Sequence, residues 1–195
     1  MTLQEFLLTF DKPGCVVLLE GKRTVKSEDE VKLIRLGKLL AEKTKHMLFR
    51  SGNAPGADYL FSSGVAVVNR GRLQIVAPYR GHRKKQEAGG QSVYLDEINL
   101  ANEPEIVHQS KLHKPTEDLI DEFIDGGRNR YTIKAAYILR DTLKVLGADN
   151  LAPASAGLFY DDLDNPMEGG TGHTMRICLK NQVPVFNQEV WMKWL

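Results

Sequence analysis

The sequence predicts an α/β fold, a Rossmann-like doubly wound parallel sheet of about five strands with helices on both faces. Three observations carry that prediction. Short apolar runs recur at 15–20, 46–50, 73–77, 156–160 and 183–186, the first of them nearly unbroken, as in a strand covered on both faces. Longer stretches with apolar residues at helical spacing lie between them. The two kinds of segment alternate, with Gly and Pro at the joins, which is the pattern of β-α-β units.

Thr2 to Phe10 reads as a short amphipathic helix, broken by Pro13-Gly14 before the first strand, Cys15 to Glu20, which runs out into Gly21-Lys22-Arg23. Ser27 and Glu30 have capping-box spacing, and Val31, Leu33, Ile34, Leu36, Leu40 and Ala41 continue at helical spacing to about Lys45. Lys32, Arg35, Lys38 and Glu42 form the solvated face of that helix. The second strand, His46 to Arg50, leads into the loop Ser51 to Asp58, then a helix from about Ala57 to Asn69 with Leu60, Phe61, Val65 and Val68 inward. The third strand, Leu73 to Ala77, ends at Pro78-Tyr79-Arg80-Gly81-His82-Arg83-Lys84-Lys85.

From Gln86 to Lys114 the chain is polar and weakly periodic, and reads as an insertion of loops and short helices. Helices follow at Thr116 to Asp125, ended by Gly126-Gly127, and at Tyr131 to Leu146, closed by Gly147. The fourth strand, Ala156 to Tyr160, runs into the acidic turn Asp161-Asp162-Leu163-Asp164 and the stretch Glu168 to Thr174. A helix over His173 to Asn181, a fifth strand at Val183 to Phe186 and a cap at Gln188 to Leu195 complete the order.

At 195 residues and 42% hydrophobic, the chain is long enough for one full core, so residues 1–195 are expected to form a single domain. The 26 basic and 25 acidic residues give a formal net charge of +1, which argues against steering to nucleic acid by bulk charge. Cys15 and Cys178 make neither a disulfide framework nor a metal site by spacing. No apolar run approaches the roughly 20 residues that span a bilayer, and the first residues lack a signal peptide's basic start. The expected setting is cytoplasmic, with no membrane partner.

Candidate chemistry centres on Gly169-Gly170-Thr171-Gly172-His173-Thr174. Glycines at the mouth of a helix leave backbone N–H groups open, and the helix dipole favours an anion there. The plain alternative is a tight turn. The commonest doubly wound order, 3-2-1-4-5, reverses direction between the first and fourth strands, and ligands sit where their outgoing loops diverge. That places Lys22 and Arg23 beside the glycines. Arg23 suits a bidentate phosphate clamp, or else a surface ion pair.

These residues resemble a known group. Gly21-x-Arg23 after a strand, then Ser51-Gly52-x-Ala54-x-Gly56-Ala57-Asp58, then Gly169-Gly170-Thr171-Gly172-x-Thr174 with Arg176 a turn on and Val183-Pro184-Val185 after it, resemble the SLOG superfamily of Rossmann-like nucleotide-binding proteins. That superfamily includes YspA-like proteins, LOG phosphoribohydrolases, molybdenum-cofactor carrier-like proteins and DprA. The resemblance implies a nucleotide or nucleotide-derived ligand, bound by a sensor or carrier, with the loops named above contacting it. LOG enzymes keep a catalytic glutamate after their glycines. Here that position is Arg176, which sets the chain closer to the YspA-like branch.

Two other classes stay open. A nucleotide N-glycoside hydrolase would need Glu168, Asp161 or Asp58 as a substitute carboxylate. A DprA-like single-stranded nucleic-acid binder would use Arg80 to Lys85 with Tyr79 as a stacking platform. Among individual residues, Asp58 caps its helix or meets a ribose. Asp161, Asp162 and Asp164 form a solvated turn or hold Mg²⁺ against a nucleotide phosphate. His173, at a helix N-terminus, should have its cationic form disfavoured. Arg80 and Arg83 are further phosphate contacts, or else members of a solvated loop. Trp191, Trp194 and the helix from Tyr131 offer apolar surface for a homodimer.

Overall fold

The computed structural model describes residues 1–83, 88–112 and 116–195. Six parallel strands, β1 Val16–Gly21, β2 Leu48–Ser51, β3 Leu73–Ala77, β4 Gln91–Tyr94, β5 Ala156–Tyr160 and β6 Val185–Phe186, form one sheet in the order β4-β3-β2-β1-β5-β6. The five expected strands keep the expected order. The sixth, β4, corrects the reading of 86–114 as loops and helices only: it pairs in parallel with β3, Ala77 opposite Tyr94, at the sheet's edge.

The helices are α1 Leu3–Phe10, α2 Ser27–Lys43, α3 Ala57–Asn69, α4 Pro104–Ser110, α5 Glu117–Gly126, α6 Ile133–Leu146, α7 Gly169–Lys180 and α8 Gln188–Trp191. Strand alternation assigns them to the two faces. Val17 and Leu19 of β1 join a core with Phe6, Leu36, Phe61 and Trp191, from α1, α2, α3 and α8. Leu18, pointing the other way, meets Val145 of α6 and Ile177 of α7. Beyond β3 on that second face, Val76 packs with Ile106, Ile120 and Leu139 of α4, α5 and α6. Glu20 shares the parity of Leu18, so the strand delivers a carboxylate to the α6–α7 side.

Several expectations change in detail. Ser27 is the first residue of α2, not its cap; Lys26 precedes the helix in extended conformation, and no side chain caps it. Glu28, Asp29 and Glu30 instead complement the dipole of the first turn. Val68 is 37% exposed, not inward. The glycine stretch is the first turn of α7, which begins at Gly169 and not at His173. Trp191 is fully buried, its indole N–H donating to the Phe159 carbonyl at 2.9 Å, and Trp194 packs on Phe6 with ring centroids 5.0 Å apart. The apolar surface expected of these two is therefore used within the chain. No helix among the described residues is long and apolar enough to cross a membrane.

Candidate functional site

Where the carboxyl ends of β1 and β5 diverge, the chain leaves a cleft of about 740 Å³, walled by the loop after β1, the mouth of α7 and the inner face of α6. This is the crevice that the strand order dictates. On the α7 side, the Gly172 N–H donates to the Glu168 carbonyl at 3.0 Å, the first bond of the helix. The N–H groups of Gly169, Gly170 and Thr171 come before that ladder starts. The donor set is therefore narrower than the sequence suggested, because Gly172, His173 and Thr174 are buried and belong to the helix proper. A Cβ on Gly172 would overlap the Met167 carbonyl, whereas one on Gly170 would meet only Asp141 Oδ2, at 3.3 Å. His173 still reaches the cleft, and its Nε2 shares a hydrogen bond with Thr142 Oγ1 at 3.0 Å.

The loop after β1 supplies the opposite wall. Lys22 is committed, with Nζ 2.5 Å from Asp162 Oδ2. Arg23 is exposed, lines the cleft and makes no hydrogen bond or ion pair among the described residues. Arg176 lines the cleft and fastens its rim, Nη1 donating to the Met167 carbonyl at 2.7 Å.

Asp58 does not cap α3, whose N-cap is Gly56, and each of its oxygens already accepts one backbone hydrogen bond. Its Oδ1 accepts from the Gly21 N–H at 3.0 Å and its Oδ2 from the Ala54 N–H at 3.3 Å, tying two loops together. Gly56 sits at φ +85°, where a side chain would also overlap the Arg23 carbonyl. Ser51 and Gly52 are buried behind the cleft, and the Gly52 carbonyl accepts from Arg140 Nη1 at 2.7 Å. Thus Gly21, Lys22, Arg23, Asp58, Gly169, Gly170, Thr171 and His173 meet at one cleft. Ser51, Gly52, Gly56, Gly172 and Thr174 support it without lining it.

Arg80 turns away to Glu97 and stacks over Tyr94, 5.0 Å from the ring centre. Arg83 is half-buried and donates to the Asn53 carbonyl at 3.4 Å. Lys84 and Lys85 lie outside the described residues. Of the acidic turn, Asp161 is buried and accepts from the Met167 N–H at 2.9 Å, and Asp162 holds Lys22. Among the described residues, no three His, Cys, Asp or Glu side chains stand where they could hold a metal ion. Of the three substitute carboxylates, Asp58 and Asp161 are engaged by backbone N–H groups; Glu168 is exposed at the mouth of α7.

Sequence reasoning missed the deepest part of the cleft. Lys144 of α6, with its side chain 2% exposed, sits 2.5 Å from Glu20 Oε2 and 2.8 Å from Asp141 Oδ1, and Arg140 Nε lies 3.1 Å from that same Oδ1. Burial pushes the Glu20 carboxyl up to about 7, overriding the Lys144 ammonium, with Asp58 and Asp141 adding to the rise. Burial likewise raises Asp58. Burial also works against ionised Asp141, but Arg140 and Lys144 together outweigh it and hold its carboxyl below the usual range. A signal was present in the sequence: Arg140 falls on the same helical stripe as Ala136 and Leu143, where a charge needs a partner.

The outer wall is aromatic and basic. Tyr137 lines the cleft and its hydroxyl meets His82 Nε2 at 3.1 Å; Tyr79 stacks edge-on to His82, and the Arg128 guanidinium lies 3.8 Å from the centre of the Tyr79 ring. Burial, with the cations Arg83, Arg140 and Arg23 nearby, brings His82 down to about 4, so it is neutral at pH 7.

No family model and no curated protein matches this sequence. Two solved structures do. DNA processing protein A from Helicobacter pylori, described for its single-stranded DNA binding mode, matches with a TM-score of 0.52 at 17% identity over 90% of this chain. DprA from Streptococcus pneumoniae matches with a TM-score of 0.46 at 14% identity over 93% of this chain. The chain spans 65% and 51% of the length of those two proteins. With its six parallel strands, flanking helices and a crevice at the switch point, the chain has a Rossmann-like α/β fold, similar to that of Helicobacter pylori DprA.

Proposed function

We propose that the cleft binds a nucleotide or nucleotide-derived phosphorylated ligand, as a SLOG-type sensor or carrier of the YspA-like kind. One observation carries the reading: the open N–H groups of Gly169 to Thr171 and the uncommitted guanidinium of Arg23 face a single cleft from opposite walls. A helix N-terminus favours an anion through its dipole, and an arginine adds a charge-assisted, bidentate contact. The volume, about 740 Å³, falls in the range of small-molecule sites. The test is calorimetric titration with a panel of nucleotides and inorganic phosphate. Replacing Arg23 with alanine should weaken binding by ~1.5–3 kcal/mol, tenfold or more. Unchanged affinity in the folded variant would sink the assignment of Arg23, and no binding by any member of the panel would sink the reading.

A second reading has its own observation. Arg128 stacked on Tyr79, with Arg83 and Arg23 nearby, is the combination of aromatic platform and cations that single strands use. The single-stranded DNA binding named for Helicobacter pylori DprA supports it as an analogy of fold. Fluorescence anisotropy with an oligothymidylate would show salt-dependent binding that Tyr79→Ala weakens; affinity independent of salt would exclude this mode.

A further inference from the structure

The cleft carries opposite charges at its two depths. Arg23, Lys134 and Arg176 line it as cations, while Glu20, Asp58 and Asp141 face Arg140 and Lys144 at its inner end. Both cations of the inner end that touch Asp141 do so at Oδ1. Its other oxygen, Oδ2, has no partner among the described residues and stands 3.3 Å from where a Cβ on Gly170 would lie. Asp141 is only 6% exposed. Another oxygen of the cluster, Glu20 Oε1, is fully buried and lacks a hydrogen bond.

An anion seated deep on the first turn of α7 would therefore meet a carboxylate oxygen almost at contact. The phosphate must lie toward the rim cations, and whatever part of the ligand reaches inward must donate hydrogen bonds. Moving inward from the phosphate of a nucleotide, the first donors are the vicinal hydroxyls of the ribose. A cation is a poorer match, because the inner end already holds two: Lys144 within ion-pair distance of Glu20 and Asp141, and Arg140 within ion-pair distance of Asp141. Neutral donors suit such a floor.

We propose that Asp141 is the specificity-determining acceptor of the cleft, taking hydrogen bonds from the ribose hydroxyls of a ligand whose phosphate stays at the rim. This rests on the nucleotide reading above. A charged acceptor strengthens a hydroxyl bond, and that bond is lost when the hydroxyl is missing, so discrimination of about tenfold or more is expected.

The experiment titrates the full chain with adenosine 5′-monophosphate, its 2′,3′-dideoxy counterpart, uridine 5′-monophosphate and inorganic phosphate. The parent protein should prefer the ribonucleotide over the dideoxynucleotide at least tenfold and distinguish the two bases little. Asp141→Asn should cut the ribose preference to about twofold while leaving inorganic phosphate bound as well as before or better. Because Asp141 also holds two buried cations, a second variant, Gly170→Ala, guards against misfolding: it puts a methyl group beside Oδ2 and should erode the same preference in a stable protein. Equal binding of ribo- and dideoxynucleotide by the parent overturns the inference and leaves the nucleotide reading intact. So does a ribose preference that survives in both folded variants, or an affinity that follows the base and not the sugar. Failure of all four probes to bind overturns the nucleotide reading itself.

Discussion

Replacing Lys144 with methionine tests the buried charge cluster directly. The ammonium touches Glu20 and Asp141 at 2.5 and 2.8 Å, and all three side chains are under one-tenth exposed. Methionine keeps most of the volume and removes the charge. Among the described residues, Glu20 then has no cation within ion-pair distance, and Asp141 keeps only Arg140. Breaking a buried pair from one side costs about 3–5 kcal/mol, because the orphaned charge stays desolvated. With a urea dependence of about 1–3 kcal/mol per molar, the denaturation midpoint should fall by roughly 1–5 M at pH 8. At pH 5 the penalty should shrink. Without Lys144 the two carboxyls bind protons more readily, and a protonated carboxyl costs far less to bury. Urea melts of both proteins, followed by circular dichroism at the two pH values, give the comparison. A loss below about 1 kcal/mol at pH 8 would show that the cluster is not an energetic unit. A loss of equal size at both pH values would assign it to packing and not to charge.

The same cluster predicts a pH slope in the parent. Glu20 is raised from 4.5 to about 7 chiefly by burial, so its contribution is fully present below pH 4.5 and is lost as the pH climbs through 7. Glu20→Gln, which imitates the protonated form, should lack that slope; the gap, of order 3 kcal/mol, is read by comparing melts of the two proteins across the window. In the first turn of α7, Gly172→Ala should destabilise by about 2 kcal/mol, since its methyl group would overlap the Met167 carbonyl, and thermal melting measures the loss. Gly170→Ala, whose methyl group would meet only Asp141 Oδ2, should stay within about 1 kcal/mol of the parent, the gain in helix propensity offsetting that one contact. A Gly172 variant as stable as the parent would mean that the turn before α7 is free to move.

The central strands were legible because a parallel sheet covered on both faces leaves few positions for polar residues. That is why β1, β2, β3 and β5 announce themselves, and why their order could be argued from the helices between them. The edge strand β4 could not be seen. Gln91, Ser92, Val93 and Tyr94 are exposed or half-buried, so only backbone pairing to β3 makes them a strand. At α7, three glycines argued for a loop on propensity alone, and tertiary contact overrode it: Gly172 is helical because the chain at Met167 passes too close for any side chain.

The site divides in the same way. Arg23 and the glycines were found because loop position and helix ends are local features. The pairing of Glu20 with Lys144 joins residues 124 apart, and nothing near either predicts the other. Glu20 read as the end of an apolar run, although its parity already set it on the face that α6 covers.

That separation has a consequence for how the molecule forms. The central strand β1 pairs with β5, Val17 opposite Ala156, across most of the chain, and the cleft is closed by segments from its first and last thirds. Pairing at such sequence distance is slow, because a large loop must close before any contact rewards it. Until β5 docks, Glu20 has no α7 side to face and the rim has no second wall. Binding competence should therefore arrive in the last step of folding, together with full cooperativity. Refolding followed by ligand binding and by tryptophan fluorescence should give one shared rate, the buried Trp191 reporting the arrival of the β5 side of the sheet.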